Sequence, residues 1–413
     1  MSSPLSNVAA VDRSATVPWQ RDALVIGLVG LAHATSHFSH LLLAPLFPVF
    51  MREFGLSFSQ VGLLTSLFFL ISGVGQALSG FLVDRVGARP VLFASIGLFM
   101  ASALSAALAQ GYGGLLLAAV LAGLGNAPFH PVDFSILNQR VSAPRLGYAF
   151  SAHGLTGNLG WALAPVFLVG IAASDDWRLA YWAAIAVYGV VLAVLWWQRD
   201  HLHTVAVPRP PGRSRADDLA FLRLPVVWGC FGFFLLSTMT LAVVQTYATS
   251  ILQAMHGIPL ANAAVTVTAY MLAGAVGMLV GGFVAARTRH VDRVVAWTLA
   301  AGAALMALAA TGWLGGVGSM VLLAVTGFAI GIGGPSRDLL IKRATPPGAT
   351  GRVYGTVYSG LDTGFALAPL VFGVWMDHGW YAATLAGGAA TLLLAVAAAL
   401  AVGRRTGEQA ERT

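Results

Sequence analysis

Long apolar runs, each followed by a short and mostly basic loop, recur along the whole of this chain and leave it few ways to fold. A helix needs about 20 such residues to cross a bilayer, so about a dozen crossings fit a chain of this length. In lipid every backbone N–H and C=O must bond within the protein, and only helices or closed barrels achieve that. The runs are rich in Ala, Leu and Gly and lack the short alternating pattern of barrel strands, which selects helices. Only 9 % of residues are charged, against about 25 % in soluble domains. The expected fold is therefore an all-α membrane protein.

The formal net charge of +7 has a membrane explanation. Arg85, Arg89, Arg140, Arg145, Arg287, Arg289, Arg293, Lys342, Arg343 and Arg352 fall in loops on one side, together with Arg199, Arg209, Arg213, Arg215 and Arg223 of a central linker. Opposite loops offer Arg52 and Arg178. Basic loops stay in the cytoplasm, so both termini are expected there, in a multi-pass protein of a bacterial-type cytoplasmic (inner) membrane. No contiguous basic surface interleaved with base-stacking aromatics is apparent, so nucleic acid is not an expected partner. A single cysteine, Cys230, lies in an apolar run and excludes a disulfide framework or a thiolate metal site. The polar start, with Asp12 and no cleavage site behind a short apolar core, reads as a tail and not a signal peptide.

Hydropathy places helices near 22–50, 60–82, 90–110, 113–139, 147–173 and 177–198, then near 225–253, 260–286, 292–314, 317–343, 352–376 and 379–402. The expected organisation is a cytoplasmic tail (1–20), an N-terminal six-helix bundle (21–199), a linker (200–224), a C-terminal bundle (225–403) and a cytoplasmic tail (404–413). Pro208, Pro210, Pro211 and the arginines keep the linker out of lipid. Trp177, Tyr181 and Trp182, with Trp380 and Tyr381, are expected to form an aromatic belt at the far interface. The halves repeat each other. Gly80-Phe81-Leu82-Val83-Asp84-Arg85 returns as Gly282-Phe283-Val284-Ala285-Ala286-Arg287, and Gly123-Leu124-Gly125 as Gly331-Ile332-Gly333. Gly160-Trp161-Ala162-Leu163-Ala164-Pro165 returns as Gly364-Phe365-Ala366-Leu367-Ala368-Pro369. Parallel repeats of this kind place a binding site between them near the midplane.

The 80–89 turn resembles the loop signature between the second and third helices of the major facilitator superfamily, and the twelve-helix plan covers nearly the whole chain. Within that superfamily His33, Phe129-His130-Pro131 and Gly157-Asn158-Leu159-Gly160 resemble the fosmidomycin-resistance type. The C-terminal half, with Pro335-Ser336-Arg337-Asp338, departs from that pattern. The resemblance implies two pseudo-symmetric six-helix bundles, a cavity lined by helices 1, 4, 7 and 10, and export driven by protons.

Ionisable groups inside a membrane are costly and mark function. His33, His37 and His40 share one face of helix 1, and His130 and Asp133 one face of helix 4. Proton coupling is assigned to Asp133, His130, His37, His33 and Asp362, the last matching Asn158 in the repeat register. Withdrawal from water shifts the proton affinity of such groups, so they can exchange protons as a cavity alternates between two aqueous sides. For His130 a structural use is open as well, bonding backbone freed by Pro128 and Pro131. Arg337 can bind a carboxylate or phosphonate through paired hydrogen bonds, or pair with Asp133 or Asp362 to close a gate. Further substrate-binding candidates are His37, His40, His153, Asn158, Gln245, Tyr247 and Tyr358. Asp338, about 100° round the helix from Arg337, is expected to face elsewhere.

No metal site is expected, because His33 and His40 stand about 10 Å apart along one helix. For the gate, Gly80 and Gly87 permit a tight turn, and Asp84 can accept hydrogen bonds from a helix N-terminus of the other half. With Ala286 in the second copy, the latch is expected to rest on Asp84, Arg85 and Arg89. No nucleotide-binding glycine loop and no hydrolase triad spacing occurs, so neither an ATP-driven pump nor an enzyme is expected. The expected function is proton-coupled transport of a small anionic or zwitterionic solute, export favoured, by a monomer without cofactor. Import of a carboxylate-type nutrient is the alternative, and transport of a divalent metal or its chelate a weaker one.

Overall fold

A computed structural model describes residues 18–173, 176–205, 220–288, 290–344 and 350–410. Most of the expected N-terminal tail and of the linker (1–17 and 206–219), the last three residues (411–413) and Arg289 lie outside the described residues. Twelve helical segments are long and apolar enough to cross a membrane, and no strand occurs among the described residues. Numbered as spans, the first four are span 1 (Trp19–His40 and Phe47–Phe54), span 2 (Phe58–Val86), span 3 (Ala88–Ala107) and span 4 (Tyr112–Asn126 and Phe129–Arg140). Spans 5 to 8 are Leu146–Ala172, Arg178–Trp197, Pro225–His256 and Leu260–Arg287. Spans 9 to 12 are Val291–Thr311, Gly315–Ala344, Thr350–Asp377 and Tyr381–Ala410. The last helix thus runs into the expected C-terminal tail.

Spans 1 and 4, expected as single helices, are each broken, with prolines at both breaks. Span 1 leaves the α-helix at Leu41, turns through Ala44–Leu46 around Pro45, and restarts with Pro48 in its first turn. Span 4 stops at Asn126 and restarts after Pro128, with Pro131 in the new first turn. Proline lacks the N–H an interior turn needs, whereas in a first turn that donor would be unpaired anyway.

The packing obeys the repeat. Span 1 lies on 5 as 7 lies on 11, 2 on 4 as 8 on 10, 3 on 4 as 9 on 10, and 3 on 6 as 9 on 12. Across the halves, 2 meets 11 and 5 meets 8, which are equivalent pairs under the same operation. Association in lipid depends on close packing of backbones, which small residues permit. The repeated glycines serve that purpose: a Cβ on Gly123 would come within 2.7 Å of the Phe68 carbonyl, and one on Gly364 within 2.5 Å of that of Leu235. Gly331 and Gly160, their repeat mates, abut the backbone of Gly274 and Ala34 in the same way.

With an even number of spans, both ends of the membrane domain share one face, called here the terminal side. The hydrogen bonds and ring contacts that join the halves between described residues lie toward the other side. Asp377, ending span 11, accepts from the backbone N–H of Phe58 (2.6 Å) and Ser59 (3.0 Å) and from the Ser59 hydroxyl. Phe69 of span 2 stacks on Phe365 of span 11 at 4.1 Å, and Thr268 donates to the Ala162 carbonyl at 2.6 Å. On the terminal side the N-terminal half carries a polar network of its own. Asp22 takes Arg145 (2.7 Å) and Ser142, and Arg140 binds the Asp200 and His201 carbonyls.

The expected aromatic belt holds only in part. Trp182 and Trp380 are exposed, but Trp177 and Tyr181 are buried against Phe50, with the Trp177 indole bonded to Glu53 and the Tyr181 hydroxyl to the Leu42 carbonyl. The break in span 1 gives these two rings a protein surface to fill.

Candidate functional site

Gly157 and Gly160 let span 5 ride directly on span 1, which brings His153 to His33. The break in span 4 leaves Asp133 facing the same point. His33 Nδ1 and His153 Nε2 both lie 3.0 Å from one oxygen of Asp133, which is fully buried. A carboxylate only accepts, so with Asp133 ionised both imidazoles donate. Their rings stack at 3.4 Å, a geometry hostile to two imidazolium charges. The other Asp133 oxygen and Nδ1 of His37 are buried without a hydrogen-bond partner.

His130, one turn before Asp133, does not join it. Its Nδ1 lies 2.8 Å from Gln76 Oε1 of span 2. Residues three apart share a broad face, but their directions differ by about 60°, enough to send one side chain to span 2 and the other to spans 1 and 5. The structural use considered for His130, bonding freed backbone, is not the contact found.

His40 is engaged at both nitrogens. Trp161 donates to its Nδ1 at 3.2 Å, and because indole has no acceptor the His40 proton sits on Nε2. That nitrogen donates to Asn126 Oδ1 at 3.0 Å, which Ser36 also reaches, while the Asn126 amide donates to Ser72 at 2.8 Å. An imidazole that accepts at Nδ1 and donates from Nε2 is neutral. Asn126, Gln76, Ser36, Ser72 and Trp161 were not among the expected site residues. A polar residue just before a helix-breaking proline was the available signal for Asn126.

The C-terminal half carries a separate polar group. Arg337 Nε donates to Asp338 at 2.9 Å, so the guanidinium's reach overcomes the angular offset expected to part them. Arg337 also lies over the Phe234 ring at 5.0 Å, and Tyr358 packs on the same ring at 4.8 Å. Arg337 and Asp338 are both partly exposed. Asp362 sits against Gly73 of span 2, on the seam between the halves. Other candidates are taken up by contacts within the protein. Asn158 donates to the Gly154 carbonyl, Gln245 is buried against Met271, and the Tyr247 hydroxyl donates to the Pro369 carbonyl at 3.0 Å.

Among the described residues the 80–89 turn makes no hydrogen bond or ion pair to the other half. Asp84 and Arg85 are exposed, Gly87 adopts φ +82, the Ala88 N–H donates to Thr204, and Arg89 turns to Asp200 and the Arg199 carbonyl. The expected latch partners of Asp84 across the halves are not engaged among the described residues.

A twelve-span protein with pseudo-equivalent halves, joined by contacts toward one side and with polar groups in both halves, has the architecture of a secondary transporter. The model of the Major Facilitator Superfamily matches residues 29–334, and the chain belongs to that family. It is 27% identical over 372 residues to the fosmidomycin resistance protein of Escherichia coli (strain K12), covering 86% of each. It is also 27% identical over 250 residues to a probable L-galactonate transporter of the same organism, covering 56% of this chain and 54% of that one. In fold it is similar to a bacterial homologue of the human lysosomal transporter Spinster in an inward-facing, occupied conformation (TM-score 0.71, 16% identity, 96% and 98% covered). A similar likeness holds for the nucleoside transporter NupG (TM-score 0.72, 14% identity, 93% and 99% covered). The chain is a multi-pass membrane transporter of small organic solutes and not an enzyme.

Proposed function

We propose that the chain is a proton-coupled secondary transporter that exports a small anionic or zwitterionic organic solute by alternating access. The observation that carries this reading is Asp133, fully buried in the N-terminal half with two imidazoles on one oxygen. An intramembrane acid with two proton-bearing partners can load and release a proton within the protein. Arg337, partly exposed in the other half, supplies a site for the solute's negative charge. The basic loops put the terminal side in the cytoplasm of a bacterial inner membrane, and the seam closes the far side. Export follows the fosmidomycin resistance protein as relative; import of a sugar-acid-like carboxylate is the second reading, favoured by the L-galactonate relative.

Reconstituted protein with a pH gradient imposed across the vesicle should concentrate a carboxylate or phosphonate solute against its own gradient, and a protonophore should abolish this. Uphill movement that survives the protonophore would overturn proton coupling. Arg337→Ala should weaken binding of anionic solutes at least tenfold, as expected for hydrogen bonds to a charged group of about 1.5–3 kcal/mol. Neutral analogues should keep their affinity. Equal losses for both classes in a binding titration would make Arg337 structural.

A further inference from the structure

We propose that His33, His37 and His130 form a binding site for one divalent transition-metal ion of the zinc class, between spans 1 and 4. One ring nitrogen of each lies within 4.8 Å of the other two. The sequence points to another trio, His33, His37 and His40, which is too long for one ion. The fold discards His40, tied to Trp161 and Asn126, and brings in His130 from span 4.

The contacts decide which nitrogens face inward. His33 uses Nδ1 for Asp133 and His130 uses Nδ1 for Gln76, so each has Nε2 left. His37 brings Nδ1, buried and without a hydrogen-bond partner, on a residue only 9 % exposed. His37 Nδ1 and His33 Nε2 border one small space over the α-carbon of Gly157, where a Cβ would lie 2.9 and 3.0 Å from them. Two imidazole nitrogens bordering a spot cleared by a glycine, with no hydrogen bond to the His37 ring, are poorly explained by packing.

The surroundings match what a metal asks of imidazole. Ligating histidines hold their other nitrogen on a carboxylate or amide oxygen, which fixes the tautomer and orients the ring. Asp133 does this for His33 and Gln76 for His130. Zn–N bonds of about 2.0–2.1 Å require the three nitrogens to draw in by roughly an ångström, within reach of small χ rotations. Three neutral imidazoles leave a fourth position for water or an oxygen of the solute. All-nitrogen ligation favours Zn²⁺, Co²⁺, Ni²⁺ or Cu²⁺ over Mg²⁺ and Ca²⁺. This inference stands on the placement of the nitrogens and needs neither the coupling mechanism nor the direction of transport. An ion here ties span 1 to the second helix of span 4 and should inhibit transport.

The test is titration of the purified, chelator-stripped full chain with Zn²⁺ and Co²⁺. One equivalent should bind, with the intense visible absorption of four-coordinate Co²⁺, and Mg²⁺ should not compete. His37→Ala and His130→Gln should each remove that equivalent. Gly157→Ala, which fills the cradle and spares every ligand, should do the same. Asp133→Asn should lower affinity by about 10- to 100-fold, as loss of a supporting carboxylate does. Thermal unfolding without metal identifies any variant that fails to fold, and the remaining variants then carry the result. No saturable equivalent in the intact protein, or one untouched by His37→Ala, His130→Gln and Gly157→Ala, would overturn the site and assign binding to histidines elsewhere. Complete loss with Asp133→Asn while His37→Ala binds normally would also overturn it, making the His33, Asp133 and His153 group the ligand set.

Discussion

Asp133→Asn is expected to abolish uphill transport while leaving exchange of solute across the membrane nearly unchanged. Asparagine has the same shape, accepts on one side-chain atom and donates from the other, and each imidazole can switch tautomer to meet it. Both bonds to His33 and His153 can therefore survive while the group loses its capacity to carry a proton. One pH unit is worth about 1.4 kcal/mol per proton, so a carrier moving one proton per solute should reach about tenfold accumulation. The variant should reach a ratio of about one. Accumulation and exchange measured in the same proteoliposomes separate the cases. Undiminished accumulation would remove Asp133 from coupling, and loss of both activities in a protein of normal thermal stability would make its role positional.

The second large effect is conformational. Asp377 accepts two backbone N–H groups at the start of span 2 and the Ser59 hydroxyl, joining the halves on the sealed side. A carboxylate there satisfies donors that a helix start leaves orphaned and opposes the positive end of the helix dipole. Loss of a comparable cap costs about 0.5–2 kcal/mol. A contact made only in the sealed state should shift the equilibrium toward the opposite state by about 5- to 30-fold for 1–2 kcal/mol. Asp377→Ala should therefore lengthen distances between spin labels at the far ends of spans 2 and 11. Labelling is simplified because Cys230, the one cysteine, is buried. An unchanged distance distribution would show that the contact is not a latch.

Apolar runs and the repeat were enough to read the twelve spans, because lipid leaves the backbone one local solution. The breaks in spans 1 and 4 were harder: prolines were visible, but Pro165, Pro335 and Pro369 sit inside continuous helices. Whether a proline breaks a helix depends on which neighbour satisfies the freed carbonyl, and that is a tertiary property. The site follows the same division. Helix periodicity put His33 and His37 on one face, and the cost of an intramembrane acid singled out Asp133. Periodicity could not show that His153 would meet Asp133 while His130 turned to Gln76. Those pairings depend on how closely span 5 approaches span 1, which the Gly157 and Gly160 contacts set. Asp377 lay at a helix end, where acids are common, and its partner stands 319 residues away in the chain.

The Phe69 and Phe365 pair has a consequence for leakage. Stacked at 4.1 Å, with Trp161 and His40 against them, these rings pack beside the histidine cluster where spans 2 and 11 join the halves. Aromatic hydrocarbon offers an ion no hydrogen bonds in place of its hydration. Under the proton coupling proposed above, the pair would act as electrical insulation for the gradient.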